Sequence, residues 1–211
     1  MDKNELLARA LEEACKVVLD EGETIYIKDI AERMGVRQAA LESAIGDRRS
    51  FAAKVTVRLG AMIWQRESDS FGKGLESEKY KALNGAQQVR ELWLTAFLYT
   101  YRGHPDFWRW LYRFERFIVQ EKIPATELGD YQRQLEQYYP PFIMAFEKGR
   151  ADGTIRPGIE PADYYGATTQ ALMSICLKFC SAPKIATDTT ATGERLINTM
   201  IDMSYRYILE R

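Results

Sequence analysis

Residues 35–51 read GVRQAALESAIGDRRSF and follow the segment KDIAERM at residues 28–34. The apolar residues of both segments recur at helical spacing, which predicts a short helix over about Lys28–Met34 and another over about Gln38–Ile45. Gly35 supplies the tight turn between them. Two short helices joined in this way are typical of a helix-turn-helix, whose second helix enters the major groove of DNA.

The rest of the chain also shows the helical period, so we predict an all-α protein without strands. A first helix precedes the motif and should end at Gly22. Its buried face is predicted to consist of Leu7, Leu11, Ala14 and Val18.

The segment that follows the motif carries two further signals. Asp47 is expected to cap a longer helix that runs toward Trp64. SDSFGKGLESE, at residues 68–78, breaks the helical pattern and is expected to be a loop.

The C-terminal half is predicted to consist of helices separated by proline and glycine residues. One helix should end near Gly103, and the next should begin at Pro105. A longer helix over about residues 128–151 should bend at Pro140-Pro141 and end at Asp152-Gly153. The last two helices are expected over about residues 161–180 and 192–209.

The composition bounds the class of protein more than its function. The 211-residue chain is 46% hydrophobic, enough to bury a core in one large or two small domains. Its net charge of −1 favours neither nucleic acid nor a membrane surface as a partner. The three cysteines lack disulfide-framework spacing, and neither a signal peptide nor a membrane-spanning segment is apparent. We therefore expect a cytoplasmic protein.

Charge is distributed unevenly around the motif. Residues 1–34 hold five Lys/Arg against nine Asp/Glu, a net charge of −4. Residues 35–60 hold five Lys/Arg against two Asp/Glu, a net charge of +3. A positive surface favours a polyanion because each neutralised phosphate releases a counterion. An ordinary solvated helix surface explains the same pattern about as well.

The spacing of the motif resembles that of the tetracycline-repressor (TetR) family of transcriptional regulators. Lys28-Asp29-Ile30-Ala31 and Gly35-Val36 match the first helix of that family's DNA-binding motif and its turn. Leu41, Ile45, Arg48 and Phe51 fall where the family places a leucine, an aromatic residue, a lysine and a leucine. The resemblance implies a helix-turn-helix DNA-binding domain at residues 1–50 and a helical effector-binding and dimerisation domain at residues 51–211.

The motif departs from the family at two places. Tyr26 stands where the family usually has a serine or threonine that caps the first helix of the motif. Glu42-Ser43-Ala44 stands where the family favours aromatic residues and a histidine that hold phosphates. Because a carboxylate repels phosphate, we expect Glu42 to weaken all DNA binding and Glu42→Tyr to restore about 1–3 kcal/mol.

The second helix of the motif keeps side chains suited to reading bases. Arg37 and Gln38 lie at its N-terminal end, where they can pair with guanine or adenine. Arg48 is expected to hold a phosphate from the start of the following helix. The residues predicted to contact double-stranded operator DNA are Lys28, Arg37, Gln38, Ala39, Glu42, Ser43 and Arg48.

Aromatic residues are concentrated in the middle of the larger domain. Ligand pockets are mostly apolar and aromatic, although aromatic side chains also fill ordinary helical cores. For a single residue we favour the core, and the family resemblance favours a pocket for a small hydrophobic effector in the domain as a whole. The residues predicted to line it are Trp93, Phe97, Tyr101, Phe107, Trp110, Phe114, Phe142, Phe146 and Met173.

The last two helices are predicted to form a homodimer interface. Both carry residues at the helical period, and two such helices from each subunit would make a four-helix bundle, the arrangement that the family uses. The predicted interface residues are Ala167, Ala171, Leu172, Ile175, Phe179, Ile197, Met200, Ile201, Ser204 and Ile208.

Other reactive residues do not form a recognisable catalytic or metal site. Cys176 and Cys180 lie one helical turn apart, but a metal site needs three or four ligands, and buried thiols are the favoured interpretation. His104, the only histidine, precedes Pro105 at a helix start, which favours a capping or loop role. We predict no enzyme, no cofactor and no metal. The expected function is a TetR-like regulator, most simply a repressor. The alternative is a ligand-binding or scaffolding dimer that has lost operator binding.

Overall fold

The computed structural model describes residues 2–21, 26–46, 69–181 and 192–209, together with the isolated positions 54, 58 and 65. Within those residues every regular element is helical, and the one extended pairing is an isolated antiparallel bridge between Ile155 and Leu209. The prediction of an all-α fold is therefore confirmed for this part of the chain. The chain divides into two compact units, one of residues 1–64 with 113–133 and the other of residues 65–112 with 134–211.

The first unit begins with three helices, α1 (Lys3–Glu21), α2 (Ile27–Met34) and α3 (Gln38–Ile45), which all contact one another. The predicted positions of α2 and α3 are confirmed. In the predicted buried face of α1, Ala14 is confirmed and the rest is displaced by one residue, because the side chains that are buried are Leu6, Ala10, Ala14 and Val17. Leu7 and Leu11 are only half-buried, and the side chain of Val18 lies outside the described part of the chain. The small Ala10 side chain allows helices to approach closely, so the inward face runs through Leu6, Ala10 and Ala14.

The turn of the motif depends on Gly35. Its φ angle of 65° lies in the left-handed region, where a side chain would be strained. The Gly35 N–H donates to the Glu32 carbonyl at 3.1 Å, and the Val36 N–H donates to the Ala31 carbonyl at 3.0 Å. These bonds satisfy carbonyls that the end of α2 would otherwise leave unpaired. The glycine therefore ends α2 and sets the direction of α3.

The later elements follow in chain order. They are α4 (Glu78–Lys81), α5 (Gly85–Trp93), a π-helix (Leu94–Tyr99), α6 (Thr100–Gly103), α7 (Pro105–Glu121), a 3-10 turn (Ala125–Glu127), α8 (Gly129–Glu136), α9 (Tyr139–Ala151), α10 (Pro161–Ser181) and α11 (Gly193–Ile208). The predicted start at Pro105 and the predicted last two helices are confirmed.

Two predictions about this region are wrong. Residues 69–75, predicted to be part of a loop, are helical, and only residues 76 and 77 form a turn before α4. Pro140-Pro141 does not bend one long helix, because the chain leaves the helix after Glu136 and starts α9 at Tyr139. Proline is well tolerated in a first turn, where the backbone N–H has no helical partner. The predicted helix from Asp47 to Trp64 and the stop at Gly22 lie outside the described residues, apart from positions 54 and 58.

In the second unit, α5 and α9 cross very closely. A Cβ atom added to Gly85 would lie 1.9 Å from the backbone nitrogen of Gly149, so neither backbone leaves room for a side chain at that point. The first N–H groups of α5 are bonded from the end of α9: Gly85 donates to Asp152 Oδ2 at 2.8 Å, and Ala86 donates to Thr154 Oγ1 at 3.2 Å. The crossing thus fixes α5, the helix that carries Trp93.

The α10 and α11 helices pack against each other in the same unit. On the inward face of each helix, buried residues recur every three or four positions, as the helical period of the sequence indicated. The fully buried members are Tyr164, Thr168, Leu172, Cys176, Ile197, Ile201, Ser204 and Ile208.

Candidate DNA-binding and ligand-binding sites

The α3 helix has one buried and one exposed face. Leu41, Ala44 and Ile45 are buried, and they hold the helix against the other helices of its unit. The outward face consists of the exposed residues Arg37, Gln38, Ala39, Ala40, Glu42 and Ser43. An exposed eight-residue helix next to a glycine turn has the geometry of a helix that can enter a DNA groove. Because Ala44 is buried, it does not belong to a phosphate-facing run with Glu42 and Ser43.

Polar contacts on this surface are local. The amide nitrogen Nε2 of Gln38 donates to Glu42 Oε1 at 2.9 Å, one helical turn away. Lys28 lies on α2 with its ammonium 3.8 Å from Glu32, and both side chains are largely exposed. Such an exposed pair leaves the lysine charge available to an anion. Arg48, the predicted phosphate contact, lies outside the described residues, as does Phe51.

Tyr26 begins α2 as its N-cap residue, and its side chain makes no capping hydrogen bond. The backbone there is extended, with φ −109° and ψ 132°, which suits a serine or threonine cap. The tyrosine ring is 57% exposed. Tyr26 therefore supplies no side-chain acceptor to the first N–H groups of α2.

The second unit contains a continuous cluster of aromatic rings, formed by Trp93, Phe97, Phe107, Trp108, Trp110, Tyr139, Phe142, Phe146, Tyr164 and Tyr165. Phe142 lies in its middle, with its ring centroid 5.6 Å from that of Trp93, 4.9 Å from that of Tyr165 and 5.5 Å from that of Phe146. Phe97 extends the cluster to Trp108, with which it stacks at 5.9 Å. We call this set of ten residues the aromatic cluster.

Two indole groups bring polar atoms into the aromatic cluster. Trp93 Nε1 donates to the Tyr164 hydroxyl at 3.4 Å, and desolvation raises the pKa of Tyr164 to about 12, so the phenol stays neutral. Trp108 is 1% exposed, and its Nε1–H has no hydrogen-bond partner in the described part of the chain. A buried donor left unpaired costs on the order of 1–3 kcal/mol. An acceptor placed beside that indole would recover part of this cost.

The helix that carries Trp93 and Phe97 changes geometry between Trp93 and Tyr101. Residues Leu94–Tyr99 form a π-helix, which is rare and often occurs at functional sites. The Thr100 hydroxyl donates to the Thr95 carbonyl at 3.2 Å, five residues earlier, and so satisfies a carbonyl within the widened turn. The π-helix shifts the side chains that follow it relative to those of a continuous α-helix.

Most residues predicted to line a pocket belong to this cluster. Trp93, Phe97, Phe107, Trp110, Phe142 and Phe146 are buried within it, and Tyr101 and Met173 are half-buried. Phe114 belongs to the first unit, where its ring meets Tyr131 edge to face at 4.7 Å. The cluster also contains residues that were not predicted to line the pocket: Trp108, Tyr139, Tyr164 and Tyr165. The four-residue spacing of Tyr164, Thr168 and Leu172 along one helix face was the signal available for Tyr164.

A groove of about 630 Å³ lies elsewhere in the second unit, open to the surface. It is lined by Arg150, Gly153, Ile155, Pro157 and Gly158. The Arg150 guanidinium is already engaged, because it donates to Glu147 Oε1 at 2.8 Å and to the Ile159 carbonyl at 2.6 Å. This groove shares no residue with the predicted pocket.

The predicted interface residues fall into two groups. Ala167 is exposed, and Ala171, Ile175, Phe179 and Met200 are half-buried, so they are accessible to another chain. The remaining five, Leu172, Ile197, Ile201, Ser204 and Ile208, are buried inside the chain itself and cannot face a partner. The helical period had identified the inward faces of α10 and α11. Their outward faces carry Ser174, Thr199 and the 61% exposed Met203.

Cys176 lies in the core, and the backbone of His104 takes part in the start of a helix. Cys176 is fully buried, and burial raises the pKa of its thiol, which keeps it protonated and unreactive. The described residues contain no group of three or more His, Cys, Asp or Glu that could hold a metal ion. The His104 backbone carbonyl accepts the Phe107 N–H at 3.1 Å in the first turn of α7.

Comparisons with known proteins concern the fold. No protein-family model matches the sequence, and no curated protein matches it. Solved structures match over nearly the whole chain. A candidate transcriptional regulator from Saccharomonospora viridis in complex with choline gives a TM-score of 0.68 at 13% identity, covering 99% of this chain and all of that one.

Two further structures extend the comparison. PfmR, a TetR-family regulator from Thermus thermophilus, gives a TM-score of 0.56 at 18% identity, covering 96% of this chain and all of that one. AibR, solved with isovaleryl coenzyme A and operator DNA, gives a TM-score of 0.55 at 17% identity, covering 94% of this chain and 97% of that one. The chain therefore has the fold of the TetR-family transcriptional regulators. Among the described residues, no helix is long and apolar enough to cross a membrane.

Proposed function

We propose that this chain is a TetR-family transcriptional regulator that binds operator DNA as a homodimer and is released by a small, largely apolar effector. The observation that carries the proposal is the exposed face of α3, which presents Arg37 and Gln38 beyond a glycine turn. An arginine or glutamine at this end of a recognition helix can pair with guanine or adenine in the major groove. The fold shared with AibR, which was solved on operator DNA, supports the same assignment.

The effector would bind at the aromatic cluster of the second unit. Its rings supply the apolar walls of a ligand site, and the unpaired Trp108 Nε1–H supplies a donor that can orient an oxygen-containing guest. The choline and isovaleryl coenzyme A seen with two structural neighbours differ in charge and size. They therefore do not decide which molecule this chain would take.

The homodimer would form through the outward faces of α10 and α11. Ala167, Ala171 and Ser174 keep the α10 surface small enough for close approach, and Met203 supplies an exposed apolar side chain on α11. Helices from two subunits packed in this way would form a four-helix bundle. Light scattering at micromolar concentration tests the dimer, and a species that stays monomeric on concentration would contradict it.

An effector can release DNA only if it binds one conformation of the dimer more tightly than the other. We propose that residues 1–50 bind DNA and residues 51–211 bind the effector and the second subunit. In this scheme, effector binding changes the separation of the two α3 helices and lowers the affinity for a two-part operator.

The first experiment is affinity selection of purified protein from random DNA duplexes. We expect a palindromic site to be enriched. Within that site Arg37→Ala should reduce the preference between sequences, whereas Arg48→Ala should weaken binding to all sequences and make it less dependent on salt.

The second candidate is a ligand-binding or scaffolding dimer of the same fold that has lost operator binding. The exposed Glu42 carboxylate on α3 favours it, because a carboxylate facing phosphate is repulsive. Absence of any enriched duplex, at low salt as well, would support this candidate over the regulator.

A further inference from the structure

Gln38 and Glu42 form a hydrogen-bonded pair on the outward face of α3. Residues four apart lie on the same face of a helix, one turn above the other. Both side chains are exposed, and the Gln38 Nε2 lies 2.9 Å from Glu42 Oε1. Whatever surface Gln38 approaches, the Glu42 carboxylate approaches as well.

The hydrogen bond fixes which atoms the pair presents outward. One N–H of the Gln38 amide is used by Glu42, which leaves its Oε1 acceptor and one remaining N–H. That arrangement matches adenine, which offers an amino donor and the N7 acceptor side by side in the major groove. Glu42 keeps a second oxygen, and a carboxylate only accepts hydrogen bonds. The pair is therefore rich in acceptors.

A surface rich in hydrogen-bond acceptors interacts differently with the phosphate backbone of DNA and with its base edges. Phosphate oxygens are negatively charged acceptors and repel a carboxylate. The major-groove edge of cytosine instead offers its N4 amino group, which can donate to a glutamate. Guanine and thymine present acceptors there, and adenine places its N7 acceptor beside its amino group, where it opposes a second carboxylate oxygen. If Gln38 reads a base, Glu42 lies over a neighbouring base and not over the backbone.

We propose that Glu42 determines sequence specificity by accepting a hydrogen bond from a cytosine N4 amino group, while its bond to Gln38 orients that amide toward an adjacent adenine. This inference rests on the proposed function, because it requires α3 to enter the major groove. It differs from the phosphate-facing role that the sequence suggests for position 42. The Glu42 charge then lowers binding to wrong sequences more than binding to the correct one.

The test compares base preferences of three proteins selected on the same pool of random duplexes: wild type, Glu42→Gln and Glu32→Gln. Glu42→Gln keeps the size of the side chain and removes its charge. Glu32→Gln is the control for base preference, because it removes one exposed carboxylate from α2 and leaves the outward face of α3 unchanged. It also removes the partner of the Lys28 ammonium, 3.8 Å away, so affinities are compared with wild type.

We expect the wild-type protein and the Glu32→Gln control to prefer cytosine at one position of each half-site by about tenfold, the scale of one base-edge contact. Glu42→Gln should reduce that preference to about twofold or less, since a glutamine can pair with more than one base. Its affinity for the unselected pool should match that of wild type within about twofold. A base preference that Glu42→Gln leaves unchanged would overturn the inference.

Affinity measurements distinguish a Glu42 that faces a base edge from a Glu42 that faces the phosphate backbone. If Glu42→Gln bound every sequence more tightly than wild type by the same factor, the carboxylate would face phosphate and the inference would be wrong. An enriched site without a cytosine preference would also overturn the inference while leaving the regulator intact. If none of the three proteins enriched a site, both the inference and the proposed function would be wrong.

Discussion

Replacing Gly85 by alanine should destabilise the second unit through the crossing of α5 and α9. The added Cβ would lie 1.9 Å from Gly149 N and 2.7 Å from the Ala145 carbonyl oxygen. Both neighbours are backbone atoms, so no side-chain rotation relieves the contact. The helices would have to separate by more than about 1 Å to reach an ordinary carbon–nitrogen distance.

The size of the effect follows from three contributions. Overpacking costs about 1–3 kcal/mol. Separation of the helices would also weaken the hydrogen bonds of Gly85 to Asp152 and of Ala86 to Thr154, each worth about 1 kcal/mol. The intrinsic advantage of alanine over glycine in a helix returns at most about 1 kcal/mol. The net loss is therefore about 2–4 kcal/mol in the free energy of unfolding.

Urea and thermal denaturation followed by circular dichroism measure this loss. We expect the unfolding midpoint of Gly85→Ala to fall by about 5–15 °C. Gly149→Ala should be milder, because its Cβ would meet Ile155 side-chain atoms at 2.5 Å and its nearest backbone neighbour, Ala86 N, only at 3.2 Å. Gly72→Ala is the control, since that helical position has nothing within 4 Å of an added Cβ. A Gly85→Ala protein as stable as wild type would refute the argument.

Three further predictions concern other parts of the chain. Tyr26→Ser should raise the free energy of unfolding by about 1 kcal/mol, because it supplies the missing N-cap acceptor of α2, and urea denaturation that shows no gain would contradict this. Phe142→Ala should lower the free energy of unfolding by about 3–5 kcal/mol in the same assay, because the substitution leaves a cavity in the middle of the aromatic cluster. A loss below about 1 kcal/mol would mean that the cluster is loosely packed. Burial raises the pKa of Asp152, but hydrogen bonds from Thr154 and Gly85 outweigh it and leave the net pKa lowered. The carboxylate therefore stabilises the fold at pH values above about 3.9, the pKa of aspartate in the unfolded chain, and this stabilisation is lost as the pH falls below that value. Because Asp152→Asn has no carboxylate to protonate at this position, its free energy of unfolding should decrease less than that of wild type between about pH 5 and pH 3.

The helix-turn-helix was predictable because its signals are local. Gly35 is needed for a left-handed turn, and Ile30, Leu41 and Ile45 occupy the inward positions of two short helices. Capping and turn chemistry act within a few residues, so they can be identified without knowing the rest of the fold. The same holds for Gly153, whose φ of 75° ends the α9 region where expected.

The errors arose where the decision depends on contacts distant in sequence. Periodicity could not show whether Ile197 and Ile201 face a partner or their own chain, since both faces satisfy the same repeat. The face of α1 was displaced by one residue because the small Ala10 allows close approach, whereas a ranking by hydrophobicity favours Leu11. Pro141 was compatible with either a bend or a helix start, and the break after Glu136 decides between them.

The candidate sites were predicted in part for the same reason. Aromatic residues could be assigned to the interior, but which rings meet depends on how α5, α9 and α10 pack. Trp108 was left out of the predicted pocket, and no local pattern shows that its indole N–H lacks a partner within the described part of the chain. The hydrogen bond between Gln38 and Glu42 is a four-residue contact that the helix assignment allowed.

The central claim is that the exposed face of α3 reads a DNA sequence. Fluorescence anisotropy can compare the affinity of the purified protein for the duplex enriched by selection with its affinity for a scrambled duplex of the same composition, at physiological salt. A specific regulator should bind the selected duplex at least about 10³-fold more tightly. Affinities that agree within about threefold at that salt concentration would mean that the chain recognises DNA only as a polyanion, and would contradict the claim.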